Sequence, residues 1–108
     1  YLPMRQITAS QLHALLAADE KPFLLDVREP WEFELARIDG SRLLPLGQLP
    51  ARLDELDPER ETVVICHHGV RSMQAAFFLQ AQGFRNIINL AGGIDAWSRE
   101  VDPNTPMY

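Results

Sequence analysis

Short apolar runs alternate along the chain with longer segments in which apolar residues recur every three or four positions. The clearest run is Thr62–Ile65, where every residue is β-branched, a composition typical of a buried strand. Residues 23–27 form a second compact run between Pro22 and the polar Arg28, as expected of a strand buried on both faces. Three weaker patterns predict further strands: one that begins at Ile7, one over residues 43–44 and one over residues 86–90.

Helical patterns lie between these strands. Thr8 or Ser10 is suited to cap a first helix that ends near Ala18 and presents Leu12, Leu15 and Leu16 on one face. Further helices are predicted over residues 31–35, around Leu49, Leu53 and Leu56, over residues 72–82 before Gly83, and over residues 93–100. Alternating strands and helices predict an α/β fold. Its central sheet should be mainly parallel, with about five strands, and helices should flank both faces.

Composition narrows the possible functions. With 108 residues and no linker-like stretch, residues 1–108 are expected to form one domain. The net charge of −5 and the absence of a basic cluster argue against nucleic acid as a partner. No apolar stretch approaches the roughly 20 residues of a membrane span, and the first residues show no signal-peptide pattern. The expected location is therefore the cytoplasm.

The chain has one cysteine, Cys66, directly after the clearest strand. A lone cysteine cannot form an intramolecular disulfide, and a free thiol fits a reducing compartment. Sites in parallel sheets form beyond the carboxyl ends of strands, which is where Cys66, Asp26 and Arg28 are predicted to lie. A buried core cysteine is the alternative. The largely polar loop that follows, residues 67–72, favours a functional thiol instead.

A nucleophilic cysteine reacts as its thiolate, so the surroundings must stabilise a negative charge. The loop offers three sources of stabilisation. Its amides can form an anion-binding nest, helped by the conformational freedom of Gly69. The helix that begins near Ser72 carries partial positive charge at its N-terminus. Arg71 adds a permanent cation.

The remaining polar candidates are predicted to be structural. His67 and His68 are expected to face solvent as loop residues. No metal site is predicted, because adjacent side chains generally point apart and His13 belongs to a separate predicted helix. Asp26, Arg28 and Glu29 are expected to form a supporting charge network, with a catalytic charge group as the alternative. Packing roles are expected for the aromatic and apolar residues Trp31, Trp97, Met73 and Phe77.

Four segments resemble, in the right order, signatures of the rhodanese homology family. They are Asp26-Val27-Arg28-Glu29 with Trp31-Glu32-Phe33, Ile38-Asp39-Gly40-Ser41 through Leu44-Pro45-Leu46, Cys66-His67-His68-Gly69-Val70-Arg71-Ser72, and Gly83-Phe84 with Leu90-Ala91-Gly92-Gly93-Ile94-Asp95-Ala96-Trp97. The resemblance covers nearly the whole chain. It departs from the family pattern at Ala36-Arg37, where Gly-His is common.

The resemblance implies a rhodanese-like fold and a sulfurtransferase that carries sulfur on Cys66 as a persulfide. It implies that the loop residues His67, His68, Gly69, Val70, Arg71 and Ser72 bind the substrate, with Asp26 and Arg28 supporting the site. Thiosulfate or a persulfide would donate the sulfur. Cyanide, a thiol or a thioredoxin-like protein would accept it, and no cofactor is expected.

Two other functions remain as alternatives. A rhodanese-type domain can act as a non-catalytic binding module, although the chain keeps Cys66, Gly69 and Arg71. The second alternative is a cysteine-dependent phosphatase or an arsenate reductase. Phosphatases of this type use a Cys-x5-Arg loop, whereas Cys66 and Arg71 form Cys-x4-Arg. The shorter loop encloses a smaller space, which suits a sulfur atom better than a phosphate.

Overall fold

Five parallel strands form the central sheet of the computed structural model, which describes residues 4–108. The strands are β1 (Arg5–Ile7), β2 (Phe23–Asp26), β3 (Arg42–Leu43), β4 (Thr62–Ile65) and β5 (Ile87–Leu90). Their order in the sheet is β1-β5-β4-β2-β3, so β4 is the middle strand. The predicted α/β fold with a parallel sheet is confirmed.

Three α-helices connect strands, namely α1 (Ala9–Leu16), α2 (Pro30–Leu35) and α3 (Val70–Ala81), and a fourth, α4 (Gly93–Glu100), follows β5. Of the two capping candidates for α1, the structure uses Thr8, whose side chain accepts the N–H of Gln11 while Gln11 accepts the N–H of Thr8. No helix within residues 4–108 combines the length and the apolar character needed to cross a membrane.

The predicted helix around Leu49, Leu53 and Leu56 is wrong in type. This region forms two short 3₁₀ segments, Leu46–Gln48 and Pro50–Glu55. Proline has no N–H, so Pro50 cannot donate the hydrogen bond that would continue an α-helix through this region. Arg52, with φ −124°, interrupts the second segment.

The sheet separates two apolar cores, because successive strand residues point to opposite faces. Val63 and Ile65 pack with α1 and α4 on one face, whereas Val64 and Cys66 pack with α3 on the other. Two residues expected to pack inside are exposed instead: Phe77 is 41% exposed and Trp31 is 61% exposed. Helix α3 turns Ala75, Ala76 and Leu79 toward the sheet, which places Phe77 on its outer side.

The strand order reverses direction between β2 and β4. The chain moves outward from β2 to β3, returns to β4, and then continues to β5 on the opposite side. In open parallel sheets, the crevice at such a reversal is the usual location of a site. Here α2 follows β2 and α3 follows β4, so these two helices begin on either side of the crevice.

Candidate active site

Cys66 lies at the carboxyl end of β4, at the base of the crevice. The residue is only 1% exposed, and its Sγ accepts the N–H of Gly69 at 3.0 Å. Gly69 has φ +99°, and a Cβ at this position would lie 3.2 Å from the nitrogen of Gly92. A side chain is therefore disfavoured by both conformation and space. Glycine lets the chain turn back so that its amide reaches the sulfur.

The loop after Cys66 is anchored by the first turn of α4. Ile94 N–H donates to the carbonyl of Cys66 at 2.8 Å, and Asp95 N–H donates to the carbonyl of His67 at 3.0 Å. The approach is so close that a Cβ on Gly93 would lie 2.3 Å from the Cys66 oxygen. Because peptide units are planar and trans, carbonyls held toward α4 direct the next amides of the loop away from it.

A buried polar chain lies on the inner side of the sulfur. The Cys66 thiol donates to Ser72 Oγ at 3.3 Å, and the Ser72 hydroxyl donates to Asn89 Oδ1. Asn89 in turn donates through Nδ2 to Gly69 O at 3.3 Å and to Gln6 Oε1 at 3.1 Å. The sequence analysis did not identify Asn89 as part of the site. The available signal was a polar residue inside the apolar strand β5.

Arg71 forms an ion pair with Glu32, whose part in the site was also not identified from the sequence. Its two terminal nitrogens donate to the two carboxylate oxygens of Glu32, both at 2.7 Å, joining the first turn of α3 to α2. The hydrogen bonds from Arg71 lower the pKa of Glu32 to about 2 despite its burial. Glu32 raises the pKa of Arg71 in return. The permanent cation predicted at Arg71 is thus paired with a buried carboxylate.

A second ion pair, between Arg28 and Asp26, is fully buried. Arg28 donates to Asp26 from Nε at 2.9 Å and from Nη2 at 2.7 Å. It also donates to the carbonyl oxygens of Glu32 and Ala36 and, at 2.6 Å, to Tyr108 Oη. These bonds use every donor of the guanidinium, as a buried arginine requires. Asp26 and Arg28 therefore hold the end of β2 against α2.

Tyr108 completes the network. Its hydroxyl accepts from Arg28 and donates to Glu32 Oε1 at 3.0 Å, which links the buried pair to the Glu32–Arg71 pair. Burial raises the pKa of Tyr108 to about 12, so the hydroxyl remains a donor at neutral pH. Tyr108 was not identified from the sequence, because its contacts depend entirely on tertiary structure. Its ring lies edge-on to that of Trp31, with centroids 5.7 Å apart.

His67 and His68 do not point apart as expected. Their ring centroids lie 3.9 Å apart, and the other face of His67 stacks on Tyr108, also at 3.9 Å. Adjacent side chains point to opposite sides only in extended backbone, and the backbone of this loop is not extended. His68 is exposed as predicted, but Nε2 of His67 is buried and has no hydrogen-bond partner among residues 4–108. Burial, followed by the neighbouring His68, lowers the pKa of His67 and favours its neutral form.

Two further positions singled out in the sequence, Val70 and Arg37, lie on the surface. Val70, the first residue of α3, is exposed beside the loop. Arg37, which stands where the family often has histidine, donates to the carbonyl of Phe33 at 3.2 Å and lies over the Phe33 ring. Its charge is therefore held along α2.

Known proteins with similar sequences or structures point to one family. The sequence-family model of the rhodanese-like domain matches residues 8–100 of this chain. The rhodanese-like/PpiC domain-containing protein 12 of Arabidopsis thaliana is 41% identical over 98% of this chain, which spans 38% of that protein. A protein of Allochromatium vinosum named sulfurtransferase is 36% identical over 89% of this chain and 90% of its own length.

Structural similarity agrees with these matches. The crystal structure of a rhodanese-like domain protein from Staphylococcus aureus superimposes with a TM-score of 0.85 and 27% identity, covering 97% of this chain and 99% of that one. The match therefore extends over the sheet, the helices and the loop that carries Cys66. The chain belongs to the rhodanese-like domain family.

Proposed function

We propose that this protein is a sulfurtransferase that carries a sulfane sulfur on Cys66 as a persulfide. The observation on which the proposal depends is the placement of the only thiol of the chain. Its Sγ lies at the carboxyl end of the middle strand, accepts the amide of Gly69, and faces the N-terminus of α3. Amides and a helix N-terminus stabilise an anionic sulfur there. The name of the Allochromatium vinosum relative supports the same reaction.

The reaction proceeds by two displacements at sulfur. The Cys66 thiolate attacks the outer sulfur of thiosulfate, the new S–S bond forms, and sulfite leaves with the electron pair of the old one. A thiolate or cyanide then attacks the outer sulfur of the Cys66 persulfide. This step releases a persulfide or thiocyanate and restores the Cys66 thiolate. No second cysteine is present to intercept the intermediate, so an external acceptor is required.

The pairing of Arg71 bears on the choice of donor. Glu32 already neutralises the guanidinium, so the positive potential near Cys66 comes mainly from backbone amides. Thiosulfate carries two negative charges, whereas a thiol persulfide carries less charge at its sulfur end. We therefore expect glutathione persulfide to be a better donor than thiosulfate. Thiosulfate should still react, and a thioredoxin-like protein is a suitable acceptor.

Phosphate-ester hydrolysis is the less favoured alternative. A phosphatase needs a guanidinium that faces the phosphate, but both terminal nitrogens of Arg71 are bound by Glu32. The loop is also one residue shorter than Cys-x5-Arg. A non-catalytic binding module would show no sulfur transfer at all, so the same assay distinguishes it.

The proposal is tested with wild-type protein and Cys66→Ser, which keeps the size and removes the nucleophile. After incubation with thiosulfate or glutathione persulfide, the intact mass of the wild type should rise by one sulfur atom, and cyanide should reverse the change. Initial rates should follow ping-pong kinetics. Sulfur transfer that persists in Cys66→Ser, or a wild type that never gains sulfur, would refute the proposal.

A further inference from the structure

A second group of reactive side chains lies on the outer side of the Cys66 loop. One ring nitrogen each of His67 and His68 and a carboxylate oxygen of Asp95 lie within 4.8 Å of one another. Asp95 belongs to the first turn of α4, whereas the two histidines belong to the loop. None of these three side chains has a role in the sulfur-transfer steps described above.

The frame that holds this group is rigid. The amides of Ile94 and Asp95 bind the carbonyls of Cys66 and His67, so the loop and α4 cannot shift independently. Gly93 lets the two backbones approach within a distance that any side chain would prevent. The ring of His67 is also stacked on that of Tyr108. The backbone positions of His67 and Asp95 are therefore fixed relative to each other.

One of the donors also lacks a hydrogen-bond partner. Nε2 of His67 is buried and binds no other group among residues 4–108. An orphaned buried nitrogen is costly unless something binds it. Arg99 contacts Oδ2 of Asp95 at 2.9 Å, which leaves Oδ1 available.

Two histidines and one carboxylate are a common ligand set for zinc sites that keep an open position. Zinc binds imidazole nitrogen at about 2.0–2.1 Å, so the donors of a tetrahedral site lie about 3.3 Å apart. The three donors must therefore draw closer than the upper limit of 4.8 Å. His68 is exposed and can rotate toward the other two donors.

We propose that His67, His68 and Asp95 bind a divalent first-row metal ion, with zinc preferred, next to the Cys66 loop. This proposal reverses the sequence-based expectation of no metal site, which assumed that the two histidines diverge. The proposed site is independent of sulfur transfer, because none of its ligands contacts the reacting sulfur. A coordination position would remain open to solvent or to an incoming thiol.

The test uses protein without a histidine tag and with Cys66→Ser, so that neither a tag nor the thiol can bind the metal. Zinc affinity is measured by calorimetry, and cobalt binding by its visible absorption. In this background, His68→Ala and Asp95→Asn should each weaken zinc binding at least about tenfold. His13→Ala removes the remaining histidine, which lies on α1, and should leave the affinity unchanged.

Each outcome is decisive. Stoichiometric binding that falls with His68→Ala and Asp95→Asn but not with His13→Ala supports the site. Binding that vanishes with Cys66→Ser alone would mean that the thiol holds the metal, and the proposal would be wrong. The same conclusion follows if His13→Ala weakens binding as much as the other two variants. Unchanged circular dichroism of each variant confirms that the comparison is made on folded protein. Failure here would leave the persulfide assay unaffected.

Discussion

Among single residues, Glu32 determines how the charge of Arg71 is held near the reactive loop. Its carboxylate is buried, yet it is satisfied by two bonds from Arg71, one from Tyr108 and one from the N–H of Glu29. A buried carboxylate with this many donors stays ionised to low pH. It also fixes where Arg71 points. The electrostatic contribution of the arginine to the site therefore cannot be judged without Glu32.

This pairing predicts a specific pH dependence of stability. A pKa lowered from 4.5 to about 2 corresponds to about 3 kcal/mol. Arg71 is 37% exposed, and solvent screening reduces the expected contribution to about 1–2 kcal/mol. Because the folded pKa lies below the unfolded one, the stabilisation is complete above about pH 4.5 and is lost as the pH falls toward 2.

The measurement is the free energy of unfolding in urea at pH 6 and pH 3. Wild type should exceed Glu32→Gln at pH 6, and the difference should shrink at pH 3. Glu34→Gln changes an exposed carboxylate on the same helix, and this control should follow the wild type at both pH values. A difference that does not change with pH would contradict the assigned ion pair.

At the level of elements, the N-terminus of α4 positions the reactive loop. Gly93 allows this contact, since its Cβ would collide with the Cys66 carbonyl at 2.3 Å. Gly83 provides a matched comparison, because it also has positive φ but no neighbouring atom of residues 4–108 lies within 4 Å of the Cβ that an alanine would add. Comparing alanine at these two positions separates backbone strain from collision.

Gly83→Ala should lower the unfolding free energy by about 1–2 kcal/mol, the cost of a left-handed conformation. Gly93→Ala should cost more, because the loop or α4 must also move. It should in addition slow sulfur transfer by the protein that remains folded, since the carbonyl of Cys66 would be displaced. Urea unfolding and persulfide formation measure the two effects. Equal costs and equal rates for the two variants would show that α4 does not position the loop.

Elements were predictable from the sequence where one local pattern determines them. Thr62–Ile65 reads as a buried strand because its β-branched composition leaves little choice, and Gly83 ends α3 for a local reason. The region near Leu49 was predicted as one helix from its leucine spacing, but it forms two 3₁₀ segments, with Pro50 at the start of the second and a non-helical Arg52 inside it. Leucine spacing does not show such breaks in the backbone.

The site was only partly predictable for a related reason. Cys66, Gly69 and Ser72 all lie within the seven residues that follow β4, and all three meet at the sulfur. Glu32 and Asn89 reach the site from other elements, so only the folded topology brings them near. A sequence marks such residues as polar positions in apolar surroundings, but it does not identify their partners.

On the scale of the whole molecule, Tyr108 connects segments that are far apart in the sequence. Its hydroxyl joins Arg28, after β2, to Glu32, on α2, while its ring stacks on His67 in the loop after β4. The last described residue thus touches both sides of the crevice. Its hydroxyl supports the charge network, and its ring supports the loop. These two contributions can be separated by mutation.

Tyr108→Phe keeps the ring and removes the hydroxyl, which leaves Glu32 without one donor and Arg28 without one acceptor. Unsatisfied buried groups cost about 1–3 kcal/mol, so the unfolding free energy should fall by that amount. Tyr108→Ala should cost more, because the stack on His67 is lost as well. Met107→Ala, at an exposed neighbouring position, should change stability by no more than about 0.5 kcal/mol. If Tyr108→Phe is as stable as wild type, the hydroxyl does not hold Arg28 and Glu32 together, and Arg71 must be positioned without it.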